Sequence, residues 1–387
     1  MSDTGAVGVQ SDPTLLGDIR QYGKFDTTGC YQCGSCTISC ELVTDFVTFP
    51  RRVIRYALLG LREPLVGSLD AWICHDCGDC SIVCPRQAEP RISMMTARRF
   101  LCAQYDWTGL ARKILASRAW YVASLSVVSV FVLLLVLLYH LLYVRLSLHD
   151  FATTALGLEH MFPTMTYFTL TVVLLPLFLL LSRIFRIWRL TMRGERIPFS
   201  AYVTEAWTYV LHSVTHKLMR KCPERGRWAG HWLLALGVVM ILTIKVFGLR
   251  WFQTDNIYPL YHPQRWLGYL ATALILYGVV GILVCHILGK GEICKTRGLE
   301  DLMFPILLLL TALSGISVHI LRYAGFALAC HFVYALHIVI ATPMLVVEMS
   351  FGKWSHMVYR PLALYFQAVK ERVRQQAPAQ EVVANAV

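Results

Sequence analysis

Long apolar runs alternate with short, mostly basic connections through the later part of this chain. The runs lie near residues 119–143, 163–187, 229–249, 266–288, 302–322 and 325–350. A helix needs about 20 mostly apolar residues to cross the hydrocarbon core of a bilayer, and all six runs reach that length. Lys245 interrupts the third. Between the second and third, Phe199, Tyr202, Val203, Ala206, Trp207, Val210 and Leu211 recur at i, i+3, i+4 spacing. That period predicts an amphipathic helix within 199–220, lying on a membrane interface. Residues 1–28 show no strong period and read as a loosely ordered arm. The end of the chain, from Arg374 onward, reads as a frayed tail. The chain thus divides into an arm (1–28), a cysteine-rich domain (29–115), a membrane domain (116–365) and a tail (366–387).

Charge orients the spans. A 56% hydrophobic chain with a formal charge of +12 could still bind nucleic acid. Its basic residues, however, crowd the ends of apolar runs and form no stripe with stacking aromatics, which argues against that partner. Arg183, Arg186, Arg189, Arg193 and Arg196 open one connection, and Lys217, Arg220, Lys221, Arg225 and Arg227 close it. Lys290, Lys295 and Arg297 occupy another on the same side, with Lys353, Arg360, Lys370 and Arg372 after the last span. The opposite connections hold only Arg145, Arg250, Arg265 and Arg322. By the positive-inside rule, both termini and the cysteine-rich domain face the cytoplasm, and the bilayer is the cytoplasmic (inner) membrane.

Two near-identical cysteine runs carry the clearest chemistry: Cys30-x2-Cys33-x2-Cys36-x3-Cys40 and Cys74-x2-Cys77-x2-Cys80-x3-Cys84-Pro85. Three close thiolates and a fourth farther on are the spacing that wraps a [4Fe–4S] cube. A zinc knuckle would show paired CxxC units, and a disulfide framework would suit an exported domain, whereas residues 1–29 contain no signal peptide. In two-cluster modules of the bacterial ferredoxin kind, the fourth cysteine of each run ligates the other cluster. The expected sets are therefore Cys30, Cys33, Cys36 and Cys84 for one cube, and Cys74, Cys77, Cys80 and Cys40 for the second. Cys285, Cys294, Cys330 and Cys102 lack cluster spacing and read as ordinary thiols.

Histidines inside a bilayer are costly and mark functional sites. Here they are His140, His231, His286, His319, His331, His337 and His356. Electrons from the cluster domain would need an acceptor in the membrane, and haem b held by two histidines on facing helices is the usual one. His231 begins the third span and His356 follows the sixth, so the two can reach equal depth on antiparallel helices. His337 lies 19 residues before His356, roughly 28 Å along a helix, which places it in the far half of the membrane beside a second haem. His319 is the expected partner of His337, with His331, His140 and Lys245 as alternatives. Glu348 is the one carboxylate near a span interior.

Residues 29–100 resemble the C subunit of heterodisulfide reductase, sharing Pro50-Arg51, Arg55, Gly60 and Trp72-Ile73-Cys74 besides the cysteines. Residues 160–365 resemble the haem b gamma subunit of respiratory nitrate reductases and the E subunit of heterodisulfide reductases. The resemblance is strongest over Leu336-His337 and Lys353-Trp354-Ser355-His356-Met357-Val358-Tyr359-Arg360-Pro361. It places His337 and His356 on the distal and proximal haem ligands of the last span, and His231 on the proximal ligand of the facing helix. Two departures stand out. Ile241 occupies the position of a further histidine ligand, and one extra residue separates His337 from His356. That residue rotates the helix face by about 100°, so an irregularity is expected near Pro343 or Gly352.

The fused arrangement resembles the C subunits of quinone-interacting membrane-bound oxidoreductase (Qmo) complexes of sulfate reducers, with the membrane subunit of the Dsr complex as the nearest rival. What the resemblance implies is a mostly α chain, with a helical two-cluster ferredoxin module ahead of a six-helix transmembrane haem b bundle. It also implies two [4Fe–4S] clusters, two haems b, menaquinone as substrate, and flavin- and iron–sulfur-containing cytoplasmic subunits as partners. Adenylylsulfate reductase is the implied electron acceptor. His216 and Cys222 read either as supports of the proximal haem or as a plain loop, and Lys245 as a snorkelling residue or a partner of a propionate or quinone oxygen. A tethered ferredoxin without haem is the alternative architecture. A redox-driven ion pump is disfavoured by the scarcity of carboxylates in the spans.

Overall fold

The computed structural model describes residues 10–144, 158–221, 225–248, 251, 256–289, 291, 294 and 298–376. Arg145, Lys290, Lys295, Arg297, Arg250, Cys222 and residues 377–387 of the expected tail lie outside them. The protein is 76% helical, with no strand among the described residues. Six helices are long and apolar enough to cross a membrane: Arg118–Leu142, Thr166–Thr191, Gly226–Phe247, Pro263–Leu288, Asp301–Tyr323 and Ala327–Phe351. The chain is therefore a multi-pass membrane protein with a mostly α fold.

Two compact units form. The first joins Met1–Ser117, Ser182–Pro223 and His356–Val387, and the second joins Arg118–Leu181 and Glu224–Ser355. In the first unit, the short helices α1 (Leu15–Arg20), α2 (Ser35–Ile38), α3 (Arg51–Leu58), α4 (Arg62–Val66), α5 (Asp70–Ile73) and α6 (Asp79–Ile82) gather around α7 (Pro90–Tyr105), with α8 (Leu110–Ala116) following. Its core is Leu15, Ile19, Ile54, Leu65, Met94 and Phe100, all at most 1% exposed. Gly60 adopts φ +69, and any side chain there would run into the backbone at Asp12.

The second unit holds α9 (Arg118–Tyr139), α12 (Arg225–Phe247), α13 (Pro263–Leu288), α14 (Leu299–Tyr323) and α15 (Ala327–Pro343), and α10 (Leu158–Thr191) belongs to it as far as Leu181, its last residues falling in the first unit. Helix α12 packs on α13, α13 on α14, α14 on α15 and α15 on α9. Gly237 sits against the backbone of Ala271, and Gly278 against Leu234. Small residues at a crossing let membrane helices close up, because lipid gives no hydrophobic push between them.

Several sequence expectations change in detail. Helix α10 runs unbroken to Thr191, so Arg183, Arg186 and Arg189 are helical and do not begin a loop. Arg183 is tolerated there because Asp106 neutralises it. The helix expected over 199–220 is α11 (Phe199–Thr215), and His216 ends it in the left-handed conformation at φ +47, followed by a 3₁₀ turn over Lys217–Lys221. Its Phe199, Val203, Trp207, Val210 and Val214 form an exposed apolar stripe. Cys285 and Cys294, read from sequence as separate thiols, are joined as a disulfide. Between them, Gly289 at φ +64 ends α13 in the left-handed conformation common at helix C-termini.

The last span also differs from a continuous rod. After Pro343 the chain makes a π-helical turn, Met344–Glu348, and at Gly352 (φ −97, ψ −161) it leaves the helix altogether. A π turn accommodates one extra residue. Lys353–Ser355 form a 3₁₀ turn, and His356 then opens a separate helix, α16 (His356–Gln376). His337 and His356 are thus not carried by one straight helix, and the distance of a continuous rise does not apply to them.

Candidate iron–sulfur and haem sites

The duplicated cysteine runs fold as duplicated loops. In each, the residue before the second cysteine takes a left-handed conformation: Gln32 at φ 57 and Asp76 at φ 58. The glycine after that cysteine does the same, Gly34 at φ 89 and Gly78 at φ 98. Each glycine then starts a one-turn helix, α2 with Cys36 and α6 with Cys80, and these two helices pack on each other. The sequence repeat is therefore a backbone repeat. Non-glycine residues resist this conformation, and Asp76 is held in it by Arg91, whose Nε donates to Oδ1 at 2.6 Å.

The thiols of the two runs act on one another electrostatically. Burial pushes Cys36 up, and Cys30, Cys33 and Cys84 add to the effect. Burial pushes Cys40 up to about 11, with Cys74 and Cys77 adding. Cys80 is raised further by burial and by Cys74, Cys77, Cys36 and Cys40. Thiols so placed ionise only when positive iron replaces the proton. Hydrogen bonds already point at the sulfurs: Gln32 Nε2 to Cys30, Asp76 N to Cys74 and Ala88 N to Cys84, each at 3.4 Å. Such donors stabilise thiolate and raise a cluster's potential. Among the described residues no three His, Cys, Asp or Glu side chains converge on one metal-ion position.

The two cysteine runs differ in exposure. Cys33 is exposed, and so are the apolar Tyr31 (68%), Ile38 (87%) and Ile82 (67%) of the two cysteine runs. Cys74 and Cys80 are buried. Over Cys74 lies α16, which packs on α5: Tyr359 meets the ring of Trp72 at 5.1 Å, and Arg360 Nη2 lies 2.9 Å from His75 Nε2. Arg98 donates to the carbonyls of Ala71 and Cys74. His75, Arg98 and the placement of Arg360 against a cysteine loop were not readable from spacing, because the contact spans 285 residues.

His337 and His319 lie in the second unit on neighbouring helices. Ser314 Oγ is 3.0 Å from His337 Nδ1, and the histidine ring faces Gly315, where a Cβ would meet its Cε1 at 3.2 Å. That leaves Nε2 as the coordinating atom, with a serine orienting the ring as outer-shell partners do for ligating histidines. The charge of Lys245 reaches His337 as well. The residues at this position fit a haem ligand. His319 stands one turn past Gly315, its Nε2 2.8 Å from Tyr269 Oη and its ring 4.5 Å from that of Tyr323. Iron at this nitrogen would have to displace the tyrosine. His231 is half-buried on the first turns of α12, and His356 opens α16. Glu348 is 1% exposed and receives hydrogen bonds from Tyr121 Oη and from the Lys353 amide, the latter at 3.1 Å.

Comparison with known proteins bears on the cysteine loops. Residues 29–89 match the 4Fe-4S dicluster domain family. The chain is 32% identical over 94 residues to a protein of Archaeoglobus profundus described as like the C subunit of heterodisulfide reductase, an alignment covering 24% of this chain and 50% of the relative. The chain thus spans about half the length of the curated relative it matches. No solved structure matches it. Residues 29–89 are an iron–sulfur electron-transfer module, built into a chain with six membrane-spanning helices.

Proposed function

We propose that this chain is the membrane electron-transfer subunit of a quinone-dependent oxidoreductase complex. It links the menaquinone pool, through haem b and two [4Fe–4S] clusters, to cytoplasmic flavin- and iron–sulfur-containing subunits, and through them to adenylylsulfate reductase in sulfate respiration. The observation that carries this reading is α16, which starts at His356 and one turn later touches the Cys74 loop. A residue suited to a haem and a residue in contact with a cluster loop share one rigid element.

Clusters and haems bound here would each take up and release one electron at a time. The chain's own residues do the rest. Cys30, Cys33, Cys36 and Cys84 hold one cluster, and Cys74, Cys77, Cys80 and Cys40 the other. Trp72, Tyr105 and Tyr359 exclude water from the inner one, being at most 3% exposed. The exposed apolar side chains Tyr31, Ile38 and Ile82 of the two cysteine runs would meet a soluble redox subunit. His231 with His356 and His337 with His319 would be the haem pairs, with both termini and the cluster module cytoplasmic.

A reduced-minus-oxidised visible spectrum with a pyridine haemochrome assay on the purified chain tests this. Two haems per chain support both histidine pairs. One haem means that the distal pair of His337 and His319 is not used. None leaves a membrane-tethered ferredoxin and removes haem from the proposal.

A further inference from the structure

Helix α16 brings a cation to the inner cysteine loop. Arg360 follows His356 by one turn, so both side chains share a face of the helix. Its guanidinium can only donate. At 2.9 Å from His75 Nε2 it therefore fixes that nitrogen as the acceptor. His75 must then be neutral, with its proton on Nδ1. His75 is 7% exposed, and neither its Nδ1 nor Arg360 Nε has a protein hydrogen-bond partner. Two buried donors without acceptors, next to a predicted cluster ligand, fit a group that supplies acceptors, as the sulfurs of an iron–sulfur cage do. Arg360 is also within electrostatic reach of the Cys74 sulfur, where Arg98 acts as a second cation. Burial lowers its pKa only to about 10, so the charge persists at neutral pH.

We infer that Arg360, clamped by His75, is a positioning residue whose fixed positive charge sets the reduction potential of the cluster bound by Cys74, Cys77 and Cys80. The physical reason is simple. Reduction adds one negative charge to an already anionic cluster, and a nearby cation in a water-poor setting stabilises the reduced form. Beside the first run, Arg51 approaches Gly34 and acts on Cys33, and Arg86 lies over Tyr31, but both arginines are exposed. The inner cluster is thereby drawn to a higher potential than its fixed thiolates alone would give. The inference rests on the two-cluster reading and does not depend on haem.

The test is an EPR-monitored redox titration of the full-length chain in detergent, with iron and acid-labile sulfide measured on each sample. Arg360→Gln is expected to move one of the two midpoints to lower potential and leave the other in place. Arg360→Lys, which keeps the charge, is expected to restore most of that shift. Unchanged midpoints in Arg360→Gln at full iron content overturn the inference, as does an equal shift in Arg360→Lys. If Arg360→Gln loses one cluster's iron, His75→Leu is titrated in its place, since it keeps the guanidinium but removes its acceptor. One lowered midpoint then supports the inference, and an unchanged pair overturns it. Wild-type protein with iron for fewer than two clusters would bring down the two-cluster reading itself, an outcome separable from the others.

Discussion

Arg183 Nη2 donates to Asp106 Oδ1 at 2.9 Å, and the two side chains are only 2% and 0% exposed. This ion pair ties the end of α10 to the turn between α7 and α8, within the cluster-bearing unit. Removing one partner of a buried pair strands the other charge and costs about 3–5 kcal/mol. Arg183→Met should therefore lower the unfolding midpoint of the detergent-solubilised protein by that order. The double variant Arg183→Met/Asp106→Leu should recover a large part of the loss. A double variant as unstable as the sum of the singles would show that the pair does not act as a unit.

The same carboxylate makes stability depend on acid. Burial by itself would raise Asp106, but the Ala111 amide, the Arg183 guanidinium and the Thr108 hydroxyl together hold it below the usual carboxylate range. A carboxyl depressed on folding contributes stability at pH above its unfolded value, near 4, and loses it as pH falls through the folded value. Asp106→Asn should be less stable than wild type at pH 7, with the gap closing as pH drops below about 4. Thermal melts at both pH values check this, and a gap of constant size contradicts it.

Cross-ligation makes a pairing prediction. Cys36 feels Cys84, and Cys40 feels Cys74 and Cys77. Cys84→Ser should disturb the same EPR signal as Cys33→Ser, and Cys40→Ser the same one as Cys77→Ser. If Cys40→Ser instead matches Cys33→Ser, each run wraps its own cube.

Ser314 and Gly315 frame His337. His337→Ala should remove one haem per chain in a pyridine haemochrome assay if two are bound. Ser314→Ala should keep the haem but lower its affinity, by about 10–100-fold if the serine acts as an outer-shell partner. Unaltered haem content in His337→Ala assigns the ligand elsewhere.

Gly352 is the hinge at which the last span stops, and a Cβ there would collide with Glu348, including its backbone Cα at 2.9 Å. Gly352→Ala should destabilise the protein by about 1–3 kcal/mol through overpacking, read as a lowered melting temperature. Glu348→Gln, which keeps the shape, should cost less.

Much of this molecule was legible in its residues. Apolar runs of sufficient length have one low-energy solution in a bilayer, the helix, so six spans followed from composition alone, with ends shifted by a few residues. Cysteine spacing is largely local, since three of a cubane's four thiolates come from one short loop, and the match of residues 29–89 to the dicluster family agrees with it. Only the tertiary structure decided where distant segments meet. Glu348, in the π turn after Pro343, accepts from Tyr121, 227 residues away. Asp106 reaches Arg183 across 77 residues, and His75 reaches Arg360 across 285. No period or motif encodes such pairs, because long-range contacts are fixed by the packing of whole helices, after local preferences have already been satisfied.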